Sequence, residues 1–255
     1  IPHTLRVVKI PLMDTLCFKS NTFVSLNQFR AEHPKLPCFF PETFQLPLQI
    51  NEFHAFHRKL LNHSETPTWI VKPKAGSCGI GIKLCQSVQE VKQIPGPSIV
   101  QRYIPPYLVD GRKFDFRLYI FIASLNPLTA FIYNDGLARF CTSTYVAPHR
   151  ENLSNGFMHL TNTALNKKNR NAKTDFTFLA SNILKRLPPN VWSKIKLATA
   201  MTISSIYPAI IANVSHHEIS KKIKIKDSQL FVPKNEPTEE MICPINRYCH
   251  LIGID

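Results

Sequence analysis

A mixed α/β fold with antiparallel sheets and flanking helices is predicted for this 255-residue chain on three observations. Charged and apolar residues alternate through residues 113–118, Lys-Phe-Asp-Phe-Arg-Leu, the period of a strand with one apolar face. A β-rich run over residues 68–72 leads through a glycine-rich loop into a second apolar run over 82–85. Farther along, Ile195, Ala198, Met201, Ile206 and Ile210 keep mostly helical spacing within residues 191–214.

Taken in order, residues 1–50 are short apolar runs broken by six prolines, which predicts strands and loops rather than a long helix. Phe53, Phe56, Leu60 and Leu61 predict a short helix over 51–61 with Asn51 near its cap. Residues 87–94 open with Ser87 and carry Glu90 three positions later, the pattern of a capping box. Strands follow over 98–104 and 114–123, with a hairpin partner over 128–133 and a turn at Asn134-Asp135-Gly136. Residues 137–142 continue the sheet, and residues 146–173, polar and rich in Asn and Lys, read as loop. Helices are expected over 175–187 and 191–214, with Pro208 kinking or ending the second. Residues 215–240 read as a charged linker and 248–254 as an apolar strand.

With 44% hydrophobic residues the chain has ample material for a core, in one large domain or two small lobes. No apolar run reaches membrane-spanning length, and no charged-then-apolar leader opens the sequence. The seven cysteines are scattered without a CxxC pair or a zinc-type spacing, so reduced thiols in a cytosolic protein are expected. A net charge of +14 implies an anionic partner, and charge alone does not choose among nucleic acid, anionic membrane and acidic protein.

Several segments could carry chemistry. In the strand over 113–118, Lys113, Asp115 and Arg117 share one face; two cations around a carboxylate suit a nucleotide, and they equally suit an exposed ion pair. Gly76, Gly79 and Gly81 would let backbone N–H groups approach phosphate oxygens, although no Walker A lysine follows and an ordinary turn fits as well. Lys72, at the end of the preceding strand, is placed either to reach phosphates or to be solvated. Gln101, Arg102, Tyr103 and Ile104 end a strand before two prolines, where free backbone groups could read an adenine edge. Arg139, set between apolar residues, needs an anionic partner. His159, Leu160, Thr161 and Asn162 gather polar and backbone groups in one place, and His159 by itself fits a structural histidine.

In this order, Trp-Ile-Val-Lys-Pro over 69–73, Asp-Gly-Arg-Lys-Phe-Asp-Phe-Arg-Leu-Tyr over 110–119 and Met-His-Leu-Thr-Asn over 158–162 closely resemble the tubulin tyrosine ligase-like family. The segments Val-Gln-Arg-Tyr-Ile over 100–104 and Gly-Ile-Gly-Ile over 79–82 make the polyglutamylases of that family the nearest likeness. The resemblance covers about residues 35–255, read as one ATP-grasp domain truncated at its C-terminus, and residues 1–34 match poorly. It implies a nucleotide held between two lobes and ATP-dependent addition of free glutamate to glutamate side chains of tubulin tails through an acyl-phosphate. It implies ATP and Mg2+ as cofactors and tubulin or microtubules as partner, with neither nucleic acid nor membrane. It also implies a cytoplasmic place on the microtubule cytoskeleton, the cilium and basal body included.

By residue, the resemblance gives Lys72 and the loop of Gly76, Gly79 and Gly81 to the phosphates. Gln101, Arg102, Tyr103 and Ile104 go to adenine, and Lys113 and Asp115 to ribose and phosphates. Arg117 and Arg139 go to the γ-phosphate and the acyl-phosphate, with Lys113 also counted as catalytic. His159, Leu160, Thr161 and Asn162 line the nucleotide and acceptor side, and Asp255 is a magnesium ligand. The chain departs from the family pattern at Cys78, where many members carry Arg, and at Thr163-Ala164, where Tyr-Ser is common. It also ends at Asp255, before the Glu and Asn that complete the family's metal site, which predicts an inactive fragment. A catalytically dead ATP- or microtubule-binding member is the alternative, and a basic nucleic-acid-binding module a remote one.

Overall fold

The computed structural model describes residues 10, 18–74, 79–172, 175–221 and 250–254, with backbone only for 213–221 and 250–254. The expected phosphate-loop residues Gly76 and Cys78, the linker beyond residue 221 and the expected metal ligand Asp255 lie outside the described residues. By its internal contacts the chain divides into two units, one of residues 1–17, 116–136 and 180–255, the other of 18–115 and 137–179.

The second unit opens with helix α1, Lys19–Glu32. This corrects the expectation of strands and loops before residue 50. The prolines bracket the helix at Pro11 and Pro34 without entering it, and only Ser20 and Phe23 are buried, so no apolar periodicity announces it. Strand β1 (Thr43–Leu46) and helix α2 (Ile50–Asn62) follow. The backbone cap of α2 is Gln49, two residues before Asn51 as expected, and Gln49 Oε1 accepts a hydrogen bond from Gln45 N at 2.9 Å.

Strands β2 (Trp69–Pro73), β3 (Lys83–Cys85) and β4 (Ser98–Arg102) join β1 in a four-stranded sheet of order β1-β4-β2-β3. Its pairs are all antiparallel, with Lys72 opposite Ile99 and Trp69 opposite Arg102. Helix α3 (Val88–Lys92) carries the expected capping box, Ser87 and Glu90 each serving the other's backbone N–H. Phe53 and Leu60 of α2 pack with Phe44, Trp69, Val71 and Val100 of the sheet. Trp69, with no exposed surface, satisfies its indole N–H on His57 Nδ1 at 2.9 Å. Burial lowers the His57 pKa, which keeps that nitrogen an acceptor.

Strand β5 (Leu108–Val109) leads into two long strands, β6 (Arg112–Leu125) and β7 (Leu128–Phe140), which contribute residues to both units. The sheet order is β5-β6-β7-β8, with β8 at Thr177–Leu179 and β9 (His250–Ile254) pairing antiparallel to β6. The turn expected at Asn134-Asp135-Gly136 is absent, for β7 runs straight through it. Asp135 is used instead as an anchor: its carboxylate accepts from Gly136 N at 2.7 Å and from Ser181 N and Oγ at 2.9 Å. Those bonds outweigh burial and lower its pKa. Gly136 is needed for approach rather than turning, because a Cβ there would stand 2.3 Å from the Arg117 carbonyl oxygen. Gly136→Ala is therefore expected to force the two strands apart and cost about 1–3 kcal/mol, read as a lower urea midpoint.

The helix expected over 175–187 is instead strand β8 followed by a short helix α6, Ala180–Leu184. Residues 177–179 pair with 137–139, and the Phe140 ring meets Phe178 edge-on at 5.5 Å, so the sheet claims them. The polar stretch after residue 146 holds two short helices, α4 (Gly156–His159) and α5 (Thr163–Asn166). In the first unit, helix α7 spans Val191–Lys221 and continues past Pro208 instead of ending there. A proline inside a helix costs about 3 kcal/mol. Burial of Ile206 and Ile210 against Ile122 and Leu125, each contributing about 1.5–3 kcal/mol, offsets it. Tyr207 Oη adds a bond to the Leu125 carbonyl at 2.6 Å. Contrary to the expectation from apolar runs, residues Val191–Ala212, at mean hydropathy 1.4, are long and apolar enough to cross a membrane by length and composition.

Candidate functional site

The expected site residues that fall in the second unit are brought together there from β2, β4, β6, β7 and the segment after α4. Lys72 ends β2 beside β4, and its Nζ donates to Gln101 Oε1 at 2.7 Å; Gln101 Nε2 in turn donates to Thr43 Oγ1 at 2.9 Å. The ammonium thus has a neutral partner. Burial first, then the charges of Lys19 and Lys113, lower its pKa to about 8.

Lys113 stands on β6 and is enclosed by neutral groups as well. Its Nζ donates to Tyr103 Oη at 3.1 Å and to the His159 carbonyl at 2.8 Å, and sits 4.3 Å from the Tyr103 ring centroid. Burial lowers its pKa, against the opposing influence of Cys141 and Asp115. Two desolvated ammoniums held by neutral acceptors, the charge of Lys113 further lowering the Lys72 pKa, form a place that suits an anion.

Asp115, two residues on and on the same face as Lys113, is bonded at both oxygens while part of its edge stays exposed. Arg139 grips it through two parallel bonds, Nε to Oδ1 at 2.8 Å and Nη2 to Oδ2 at 2.7 Å, and Thr161 Oγ1 donates to Oδ2 at 2.6 Å. The anion that Arg139 needs is therefore Asp115 itself. Phe114 lies on the opposite face and stacks on Phe140 at 5.2 Å, as the alternation of the strand requires. Arg117 belongs to the first unit and is half-buried there.

His159 has no exposed surface. Its Nδ1 faces Tyr103 Oη at 3.4 Å, its Nε2 faces Asn152 Oδ1 at 3.3 Å, and the Tyr103 and Tyr145 rings meet it edge-on. Burial, then the charge of Lys113, lowers its pKa. Its ring is held among buried partners, and its carbonyl reaches Lys113. Leu160 packs with Leu84 and Tyr103. Asn162 abuts the glycine loop: Gly79, at φ +81°, leaves no room for a Cβ, which would lie 2.8 Å from Asn162 Oδ1. Gly81, at φ +73°, is likewise pressed against Pro73.

The strand end at 101–104 differs from the expectation of free backbone groups. Arg102 N donates to the Glu42 carbonyl and Tyr103 N to the Thr68 carbonyl, both at 2.8 Å, and the Arg102 side chain pairs with Glu65. Ile104 is exposed. Asn152 and Asn166, not singled out by the sequence, carry much of the architecture. Asn166 is wholly buried and ties Thr142 to the Leu160 and Asn162 carbonyls. Only their place in an Asn-rich stretch marks them beforehand.

An anion with several oxygens fits Lys72 and Lys113. A metal is not supported in the same way: among the described residues no group of three or more His, Cys, Asp or Glu could hold one, and Asp115 is committed to Arg139. The two described thiols nearest in sequence to these elements, Cys85 and Cys141, are pushed by burial to about 11 and about 12, which leaves them protonated and unreactive at neutral pH.

Comparison with known proteins agrees with the residue pattern. Over 230 residues the chain is 35% identical to a tubulin polyglutamylase of Caenorhabditis elegans, covering 83% of this chain and 32% of that protein. It is 35% identical over 220 residues to a tubulin polyglutamylase of Mus musculus, covering 82% and 27%. It is 40% identical over 172 residues to a probable beta-tubulin polyglutamylase of Tetrahymena thermophila, covering 66% and 14%. The chain thus spans a third or less of the length of these relatives. The model of the tubulin-tyrosine ligase family matches residues 4–229. The chain belongs to the tubulin-tyrosine ligase family.

Proposed function

We propose that this chain is the nucleotide-binding part of an ATP-dependent ligase that joins glutamate to glutamate side chains of tubulin tails, on an ATP-grasp fold. The observation that carries the reading is the pair Lys72 and Lys113, two enclosed ammoniums with neutral partners. The names of the relatives support tubulin and glutamate as the substrates.

An oxygen of the acceptor carboxylate bonds the γ-phosphorus of ATP as the bridging P–O bond breaks, ADP leaves, and an acyl-phosphate results. The glutamate amine then forms the C–N bond as the acyl C–O bond breaks; phosphate departs and the amine gives up a proton. Lys72 and Lys113 bind the phosphates and spread their developing negative charge, and the closed surroundings strengthen that effect. Asp115, fixed by Arg139 and Thr161, presents an oriented carboxylate edge to the nucleotide hydroxyls. Gly79 and Asn162 set how closely the loop approaches. By the family resemblance Asp255, outside the described residues, would hold Mg2+, which would neutralise phosphate charge.

The test is incorporation of labelled glutamate into tubulin by the protein that carries this chain. Label appearing on the tubulin tail, dependent on ATP, is the expected result. Label from tyrosine or glycine but not glutamate would overturn the choice of amino acid, and no label with any of them would overturn the reading.

A further inference from the structure

Immediately after Asn162 the chain makes a tight, heavily bonded loop whose outward side chains are basic. Thr163–Asn166 is a single helical turn, and Lys167 N, Lys168 N and Asn169 N close back on the carbonyls of Thr163, Leu165 and Asn166 at 2.9 to 3.1 Å. Two asparagines pin it from beneath. Buried Asn166 bridges Thr142 to the Leu160 and Asn162 carbonyls, and Asn169 Nδ2 donates to Thr142 Oγ1 at 2.9 Å. Lys167, Lys168 and Arg170 are all exposed, and none is paired with a carboxylate among the described residues.

A run of exposed cations is commonly just a solvated face, held loosely on its own flexible stems. Here the backbone beneath it is fixed to the segment that supplies Thr161 to Asp115 and Asn162 to Gly79. At about 1.5 Å per helical residue, Lys167 stands within about 10 Å of Asn162 along the chain. A fixed cationic loop at that distance suits an extended anionic chain with several carboxylates, one of which enters the site while its neighbours stay outside.

We propose that Lys167, Lys168 and Arg170 form the docking surface for the acidic peptide that the site modifies, gripping carboxylates that flank the acceptor residue. This rests on the proposed ligase function for the identity of the peptide. The surface itself stands on exposure, charge and the asparagine anchoring. Ion pairs at such positions are exposed, so each contributes little and the grip comes from their number and weakens with salt.

The experiment is fluorescence anisotropy of a labelled glutamate-rich peptide on the full chain and on the triple variant Lys167→Glu, Lys168→Glu, Arg170→Glu, with ATP-induced shift of the thermal midpoint measured on both. The expected result is that peptide affinity falls about tenfold or more in the variant, each exposed pair being worth a few-fold, while the ATP shift is unchanged. Wild-type peptide affinity in the variant would overturn the proposal. So would a wild-type chain that prefers single-stranded RNA of equal charge over the peptide. An absent ATP shift in the wild type would count against the nucleotide reading, and the peptide arm would still decide this one.

Discussion

Lys72→Met is expected to weaken binding of ATP about 10- to 100-fold while leaving the fold in place, as read by calorimetric titration and by circular dichroism. A charged hydrogen bond to an enclosed phosphate is worth about 1.5–3 kcal/mol, which sets that range. Methionine keeps the aliphatic bulk against the sheet. It loses only the donor to Gln101 Oε1, and Gln101 retains its bond to Thr43. An unchanged affinity would remove Lys72 from the site.

The same lysine predicts how affinity varies with pH. In the free protein its pKa is lowered to about 8, and a bound polyphosphate would return it toward the usual 10.5. Affinity is then flat below pH 8 and declines above it, by up to tenfold per unit until the bound pKa is reached. Stability of the free protein moves the other way. A lysine with a depressed folded pKa penalises the fold while it is charged, and that penalty is relieved as pH rises from about 8 to 10.5. Opposite slopes for binding and for stability over one pH window are a signature that a generally alkaline-sensitive protein would not give, and Lys72→Met should remove the Lys72 share of both while leaving that of Lys113.

The parts of this site that could be read from the sequence are those where local pattern and tertiary demand coincide. The alternation over 113–118 places Lys113 and Asp115 opposite Phe114, and the capping box at Ser87 and Glu90 forms as its residues predict. Asn134-Asp135-Gly136 misled because its turn chemistry is a local preference. The Asp135 carboxylate takes two distant donors from Ser181 besides the adjacent Gly136 N–H, and Gly136 faces a carbonyl that leaves no room for a Cβ. Helix α1 was hidden for the opposite reason: with only Ser20 and Phe23 buried, it owes little to an apolar stripe. The apolar neighbours of Arg139 show that it needs an anion but not which one, and its partner is a residue of the chain itself, because spacing along a strand says nothing about which neighbour lies across the sheet.

That pairing carries the second large effect. Asp115→Ala is expected to cost about 3 kcal/mol, seen as a lowered urea midpoint, because it strands the guanidinium of Arg139 and leaves the Thr161 hydroxyl without its acceptor. The value sits at the low end for a buried pair because the Asp115 side chain keeps 27% of its exposure while that of Arg139 keeps 11%. Removing both charges tells stability from function. In the double variant Asp115→Ala, Arg139→Met no buried charge is left alone, and replacing a buried ion pair by apolar side chains is often neutral or favourable. Most of the lost stability should return, giving a coupling energy of about 2 kcal/mol in the cycle of single and double variants. Nucleotide binding should not return, because no apolar side chain can present an oriented carboxylate edge to hydroxyl groups. Stability and binding recovering together would make the pair a structural device only. Recovery of stability alone would leave Asp115 with a role that packing cannot replace.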